Sequence, residues 1–196
     1  MKTLALVCLL AAAAPAPALA EDPAETPADA TAPRPAQWAE PIELEGVPNL
    51  HRITPTLYRS EQPNAEGMKN LEKLGIRTVV NLRYFNHDDD EVKGTNLRTE
   101  RTKILTWRID DEHVVEVMRM LKDARNGPFL IHCQHGADRT GLMSAMYRIL
   151  VQGWPKEEAL KELTEGGYGY HSMWRNIPRY IESADVEKLR AAIARD

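Results

Sequence analysis

The chain has 196 residues, 43% of them apolar, and carries 25 basic against 29 acidic side chains for a formal charge of −4. A mildly acidic balance excludes the broad basic footprint that nucleic acid or an anionic membrane surface would demand. No segment beyond the N-terminus approaches the roughly 20 apolar residues of a membrane-crossing helix, so a membrane-spanning protein is not expected.

In chain order, Lys2 comes first, then an apolar stretch over residues 4–14, then Ala18-Leu19-Ala20. A basic start, a short apolar core and an A-x-A cleavage signal predict a signal peptide over residues 1–20. The mature chain is then exported, to the periplasm or beyond it. Val7 is bulky where a lipoprotein signal wants a small residue before Cys8, which sets that reading aside. Residues 21–41 are rich in Ala, Pro, Asp, Glu and Thr, a composition that predicts a flexible spacer. Residues 42–196 have the length of one domain and no internal repeat. With Cys8 in the leader, Cys133 is left as a lone thiol in an oxidising compartment. It is either an inert buried residue or a thiol kept for chemistry.

Within the domain, residues 56–59 predict a strand, 65–74 an amphipathic helix closed by Gly75, and 77–82 a second strand. Residues 84–103 read as polar and irregular, and the charged run 86–91 as a solvated loop. A strand is expected at 104–107. Over 112–125, Val114, Val117, Met118 and Leu121 repeat at the helical period. A buried strand at 129–132 precedes a helix at 141–152, and further helices are expected at 156–164 and 174–183. Strands alternating with helices predict an α/β fold, a central mostly parallel sheet flanked by helices, with ligands at the carboxyl ends of the strands. No H-E-x-x-H, paired C-x-x-C, EF-hand or Walker pattern occurs, so neither metal nor cofactor is expected.

The stretch His132-Cys133-Gln134-His135-Gly136-Ala137-Asp138-Arg139-Thr140-Gly141 joins that buried strand to its helix. Such a tight loop turns the backbone amides of Gln134, His135, Gly136, Ala137, Asp138 and Arg139 toward one point at a helix N-terminus, which makes an oxyanion cradle. Gly136 permits backbone angles that a Cβ resists. The forked guanidinium of Arg139 suits two oxygens of a phosphoryl group. Thr140 is placed to donate its hydroxyl to the Cys133 sulfur. These parts are needed together, because a thiol of ordinary pKa near 8.5 is only a few per cent thiolate at neutral pH. A drop of about 3 units corresponds to about 4 kcal/mol, and a helix terminus supplies at most about 2.

His-Cys-x5-Arg-Thr-Gly after a buried strand resembles the signature of the protein tyrosine phosphatase superfamily, and the length is that of its small dual-specificity branch. The stretches Leu57-Tyr58-Arg59-Ser60-Glu61-Gln62-Pro63, Thr78-Val79-Val80-Asn81-Leu82-Arg83 and Met146-Tyr147-Arg148-Ile149-Leu150-Val151-Gln152-Gly153-Trp154 extend the likeness to exported bacterial members. The resemblance implies a cysteine-phosphatase fold and a phosphoprotein substrate. It implies that Cys133 forms a phosphocysteine, and that Arg139 and the loop amides hold the phosphate. Family members take a general acid from the loop after the preceding strand, often two residues beyond a tryptophan. Here Trp107 is followed at that place by Ile109, and Asp110 and Asp111 come next. Asp110 is the favoured acid, and helix capping is the other reading of both aspartates. Asp138 is the alternative acid, an arrangement that resembles phosphoinositide phosphatases, although Gln134, His135 and Ala137 are not the basic residues those enzymes carry. The competing functions are therefore a phosphoinositide or inositol-phosphate phosphatase and a catalytically weak phosphate-binding module.

Overall fold

The structure, a computed structural model, describes residues 34–195. The expected signal peptide and the first part of the expected spacer lie outside the described residues. A six-stranded sheet has the order β1-β2-β3-β6-β4-β5. Its strands are β1 (Glu40–Pro41), β2 (His51–Thr54), β3 (Leu57–Ser60), β4 (Thr78–Arg83), β5 (Arg98–Ile104) and β6 (Phe129–His132). The four strands β3, β6, β4 and β5 pair in parallel, and β1 and β2 add an antiparallel edge.

Alternation along the central strands sends side chains to two separate cores. Leu57, Val80, Leu82, Phe129 and Ile131 face one core, and Tyr58, Val79 and Leu130 face the other. This is the period of two that a sheet covered on both faces requires. Helix α1 (Ala65–Leu74) closes the smaller core with Met68 and Leu71. Asn64 caps α1 by accepting from the Gly67 N–H at 2.8 Å, and Gly75 ends it at φ +98°. The larger core is covered by α2 (Asp111–Lys122), α3 (Asp138–Leu150), α4 (Lys156–Glu165), α5 (Asn176–Ser183) and α6 (Val186–Ala194). Helix α3 is buried nearly all round, from Thr140 to Met146 and on to Leu150.

Four expectations need correction. The irregular stretch expected over 84–103 contains β5, and the strand expected at 104–107 ends at Ile104. Beyond it, Leu105 and Arg108 form only an isolated bridge. Helix α3 begins at Asp138, one turn before the expected residue 141. Strands β1 and β2 and helix α6 were not expected. The spacer expected to reach residue 41 does not run free to that point. Trp38 and Ala39 are buried and Glu40–Pro41 pairs with β2. Arg34 donates to the Gly166 carbonyl at 2.6 Å and to Tyr168 Oη at 2.7 Å, and the Ala39 N–H donates to Glu162 Oε1 at 2.6 Å. Composition misled because this segment orders itself on a polar network already built into the domain. Arg148 forks onto Glu162 at 2.8 and 2.9 Å in a buried ion pair, and Tyr168 Oη donates to the same carboxylate at 3.0 Å.

Candidate active site

The parallel strands deliver their carboxyl ends to one rim of the sheet, and β6 leads there directly from His132 into the loop 133–137 and then α3. Gly136 has φ +67°, and a Cβ there would lie 2.5 Å from the Ser60 carbonyl carbon and the Glu61 nitrogen. Only glycine lets the loop press so closely on the end of β3.

The loop carbonyls are held back by the body of the protein. The Gln62 N–H donates to the Gln134 carbonyl at 3.4 Å, Asn49 Nδ2 to the His135 carbonyl at 3.0 Å, and Arg59 Nη2 to the Gly136 carbonyl at 2.7 Å. Among the described residues, no backbone N–H from Gln134 to Arg139 donates to a protein acceptor. With the acceptors tied down and the donors unspent at the start of α3, the loop has the chemistry to receive an anion. Arg59 is buried, with its guanidinium 3.6 Å from the centre of the Tyr168 ring. Burial pulls its pKa down to about 10, so it remains a cation beneath the loop at neutral pH.

Cys133 is 1% exposed and unpaired. Arg139 Nη1 reaches the Ile104 carbonyl at 3.4 Å, and its Nε is buried without a protein partner. Thr140 Oγ1 is likewise buried without a partner, so the expected hydrogen bond from Thr140 to the Cys133 sulfur is not formed. Buried donors without partners are costly, about 1–3 kcal/mol each, and these two flank an anion-binding loop.

His132 is fully buried, with Nε2 2.8 Å from Asp88 Oδ2 and Nδ1 3.3 Å from the Cys133 carbonyl. Asp88 Oδ1 accepts from Asn81 Nδ2 at 2.8 Å and from Gln62 Nε2 at 3.0 Å, and Gln62 Oε1 accepts from Arg83 Nη1 at 2.7 Å. Burial pushes the Asp88 carboxyl up, but His132, Gln62 and Arg83 outweigh it and hold it below the usual range. This corrects the solvated-loop reading of residues 86–91, since Asp88 is a buried brace of the cysteine's own peptide. A charge run hides such a residue, and only the three-dimensional partner His132 distinguishes it from Asp89 and Asp90.

The three candidate acids part company. Asp110 is the N-cap of α2, half exposed, 3.4 Å from Arg108 Nε, and its N–H donates to His113 Nδ1 at 3.2 Å. Asp111 accepts from Tyr180 Oη at 3.0 Å and Lys188 Nζ at 2.7 Å, which ties α2 to α5 and α6. The Lys188 hydrogen bond pulls its carboxyl below the usual range and outweighs the opposing effect of burial. Asp138 accepts from the His171 N–H at 3.1 Å, with His171 Nδ1 2.9 Å from its other oxygen. Tyr168 is core packing, with its pKa pushed up to about 12 by burial.

A family model described as "Tyrosine phosphatase family" matches residues 47–187. The "Dual specificity protein phosphatase TpbA" of Pseudomonas aeruginosa strain UCBPP-PA14 is 43% identical over 85% of this chain and 76% of its own length. A crystal structure of P. aeruginosa TpbA in complex with phosphotyrosine superposes with a TM-score of 0.76, at 40% identity, over 84% of this chain and all of that one. The "Inositol diphosphatase DSP5" of Arabidopsis thaliana is 29% identical over 74% of each chain. With the loop, the cysteine-phosphatase fold and these likenesses together, the chain belongs to the tyrosine phosphatase family, in its dual-specificity branch.

Proposed function

We propose that this phosphatase hydrolyses phosphotyrosine, and also phosphoserine and phosphothreonine, on exported proteins through a phosphocysteine intermediate. The observation that carries the reading is the loop after Cys133 whose carbonyls are tied back by Gln62, Asn49 and Arg59 while its amides find no protein acceptor. The Cys133 thiolate attacks phosphorus, the bond to the tyrosine oxygen breaks, and the leaving phenolate takes the proton of Asp110. Water then attacks the phosphocysteine, which frees inorganic phosphate and restores the thiolate. Arg139 and the loop amides neutralise the equatorial oxygens throughout, and the enzyme's contribution is mostly position and charge.

Asp110 is favoured over Asp138 because Asp138 already accepts from the His171 N–H and has His171 Nδ1 2.9 Å from its other oxygen. Export rests on the A-x-A signal at residues 18–20 and is consistent with no helix among the described residues being long and apolar enough to cross a membrane. Turnover on a panel of phosphopeptides, inositol phosphates and inositol diphosphates tests the substrate class. Phosphotyrosine peptides are expected to give the highest kcat/KM. Preference for an inositol diphosphate would replace this reading with the one borne by the plant relative's name, and binding without turnover would leave only a phosphate-binding module.

A further inference from the structure

We propose that His135, Asp138 and His171 form a site for one divalent first-row transition ion of the zinc class, and that the ion reversibly inhibits the enzyme. One ligand atom from each of the three lies within 4.8 Å of the other two, the one such group of His, Cys, Asp or Glu donors among the described residues. No sequence spacing announces it, since His135 comes from the loop, Asp138 from the start of α3, and His171 from beyond α4.

The site has a fixed floor and two adjustable arms. Asp138 is 6% exposed, anchored at the first residue of α3 and held by the His171 N–H at 3.1 Å. His171 Nδ1 already lies 2.9 Å from Asp138 Oδ2, and the His135 and His171 rings are 5.4 Å apart. Both histidines reach solvent, which gives an ion a way in. On the His135 side Asn49 Nδ2 donates at 3.0 Å to the His135 carbonyl, and it donates at 3.0 Å to the carbonyl of Tyr168, three residues before His171.

Ligands about 2.0–2.1 Å from a tetrahedral zinc ion stand roughly 3.4 Å apart. Rotation of the two histidine side chains closes part of that gap, and movement of the loop at His135 closes the rest. Two imidazoles and a carboxylate suit zinc, cobalt and nickel, with a fourth position left for water. Inhibition follows from the chain between the ligands. An ion that draws His135 toward Asp138 strains Gly136 and Ala137, whose amides belong to the anion cradle. Hydrolysis itself runs on Cys133 and Arg139 and needs no ion.

Cobalt binding tests the site without substrate, so its failure is separate from failure of the phosphatase reading. In tag-free Cys133→Ser protein, Co2+ is expected to bind one per chain and to give visible ligand-field bands. Those bands should weaken by at least about tenfold in affinity in both His135→Ala and His171→Gln. His135 is exposed, so its replacement leaves the fold intact. In the cysteine-containing enzyme, Zn2+ should inhibit turnover, EDTA should restore it, and His171→Gln should raise the inhibitory concentration by a similar factor. Absence of binding in Cys133→Ser, or binding unchanged in the two histidine variants, would overturn the proposal. The first result would instead assign the ion to the thiolate.

Discussion

Replacing Asp88 tests whether the peptide of Cys133 is held from below. The carboxylate serves three donors at 2.8–3.0 Å, from His132, Asn81 and Gln62, and its side chain is 1% exposed. Asp88→Ala leaves buried His132 and Asn81 and half-buried Gln62 without that acceptor, and loss of one partner of a buried pair costs about 3–5 kcal/mol. Asp88→Asn is a milder change. Its carbonyl still serves Asn81 and Gln62, and its amide can donate to His132 Nε2 if the imidazole proton moves to Nδ1, facing the Cys133 carbonyl 3.3 Å away. That variant should lose only about 1–2 kcal/mol, the size of a charged hydrogen bond exchanged for a neutral one. Urea unfolding at pH 7 measures both. Turnover of Asp88→Ala should fall by as much as about 100-fold if the loop shifts by the order of 1 Å. The folded-state pKa of Asp88 is depressed, so its stabilisation is full above the unfolded value near 3.9 and is lost as pH falls through the folded value. The urea midpoint of the wild type should therefore drop below about pH 4 more steeply than that of Asp88→Asn. A loss under about 1 kcal/mol in Asp88→Ala would refute the brace, since a buried pair that mattered would cost several times more.

Gly136→Ala places a methyl 2.5 Å from the end of β3 at φ +67°. It should cost about 2 kcal/mol or more in thermal unfolding and depress kcat/KM on every substrate alike. Asp110→Asn should lose about 10²- to 10⁴-fold on phosphotyrosine and far less on nitrophenyl phosphate, with loss of the basic limb of the pH profile. The same leaving-group selectivity in Asp138→Asn would move the acid into the loop. Deleting residues 21–41 removes Arg34 from Tyr168, the Ala39 N–H from Glu162 and buried Trp38 from the domain. Scanning calorimetry should show a loss of at least about 2 kcal/mol, whereas a free spacer would be removed without effect.

The parts legible in the sequence are those whose local chemistry and tertiary role agree. Helix α1 announces both its ends through Asn64 and Gly75, and β6 is an apolar run stopped by His132. The loop is legible because glycine, arginine and cysteine at fixed spacing have few other uses together. Strand β5 was hidden because Arg98–Ile104 is an edge strand with only Thr102 and Ile104 buried. Its register comes from β4, not from its own alternation. Helix α6 left a usable signal, since Asp185 caps it and Leu189 is buried, but nine residues make a weak period. Arg59, Asp88 and Asn49 stayed invisible as site residues, and His171 could be read only as pocket rim or packing, for one reason. Each acts on the loop from another element, and sequence spacing carries no information about that distance.

The central claim is that Cys133 is the nucleophile, and the most direct measurement is acid quenching of the enzyme during turnover of a phosphotyrosine peptide, followed by mass spectrometry of its fragments. The phosphate is expected on the fragment containing Cys133, to accumulate before steady state, and to be absent in Cys133→Ser, with chelators making no difference. Undiminished turnover in Cys133→Ser, or phosphate trapped on any other residue, would contradict the account.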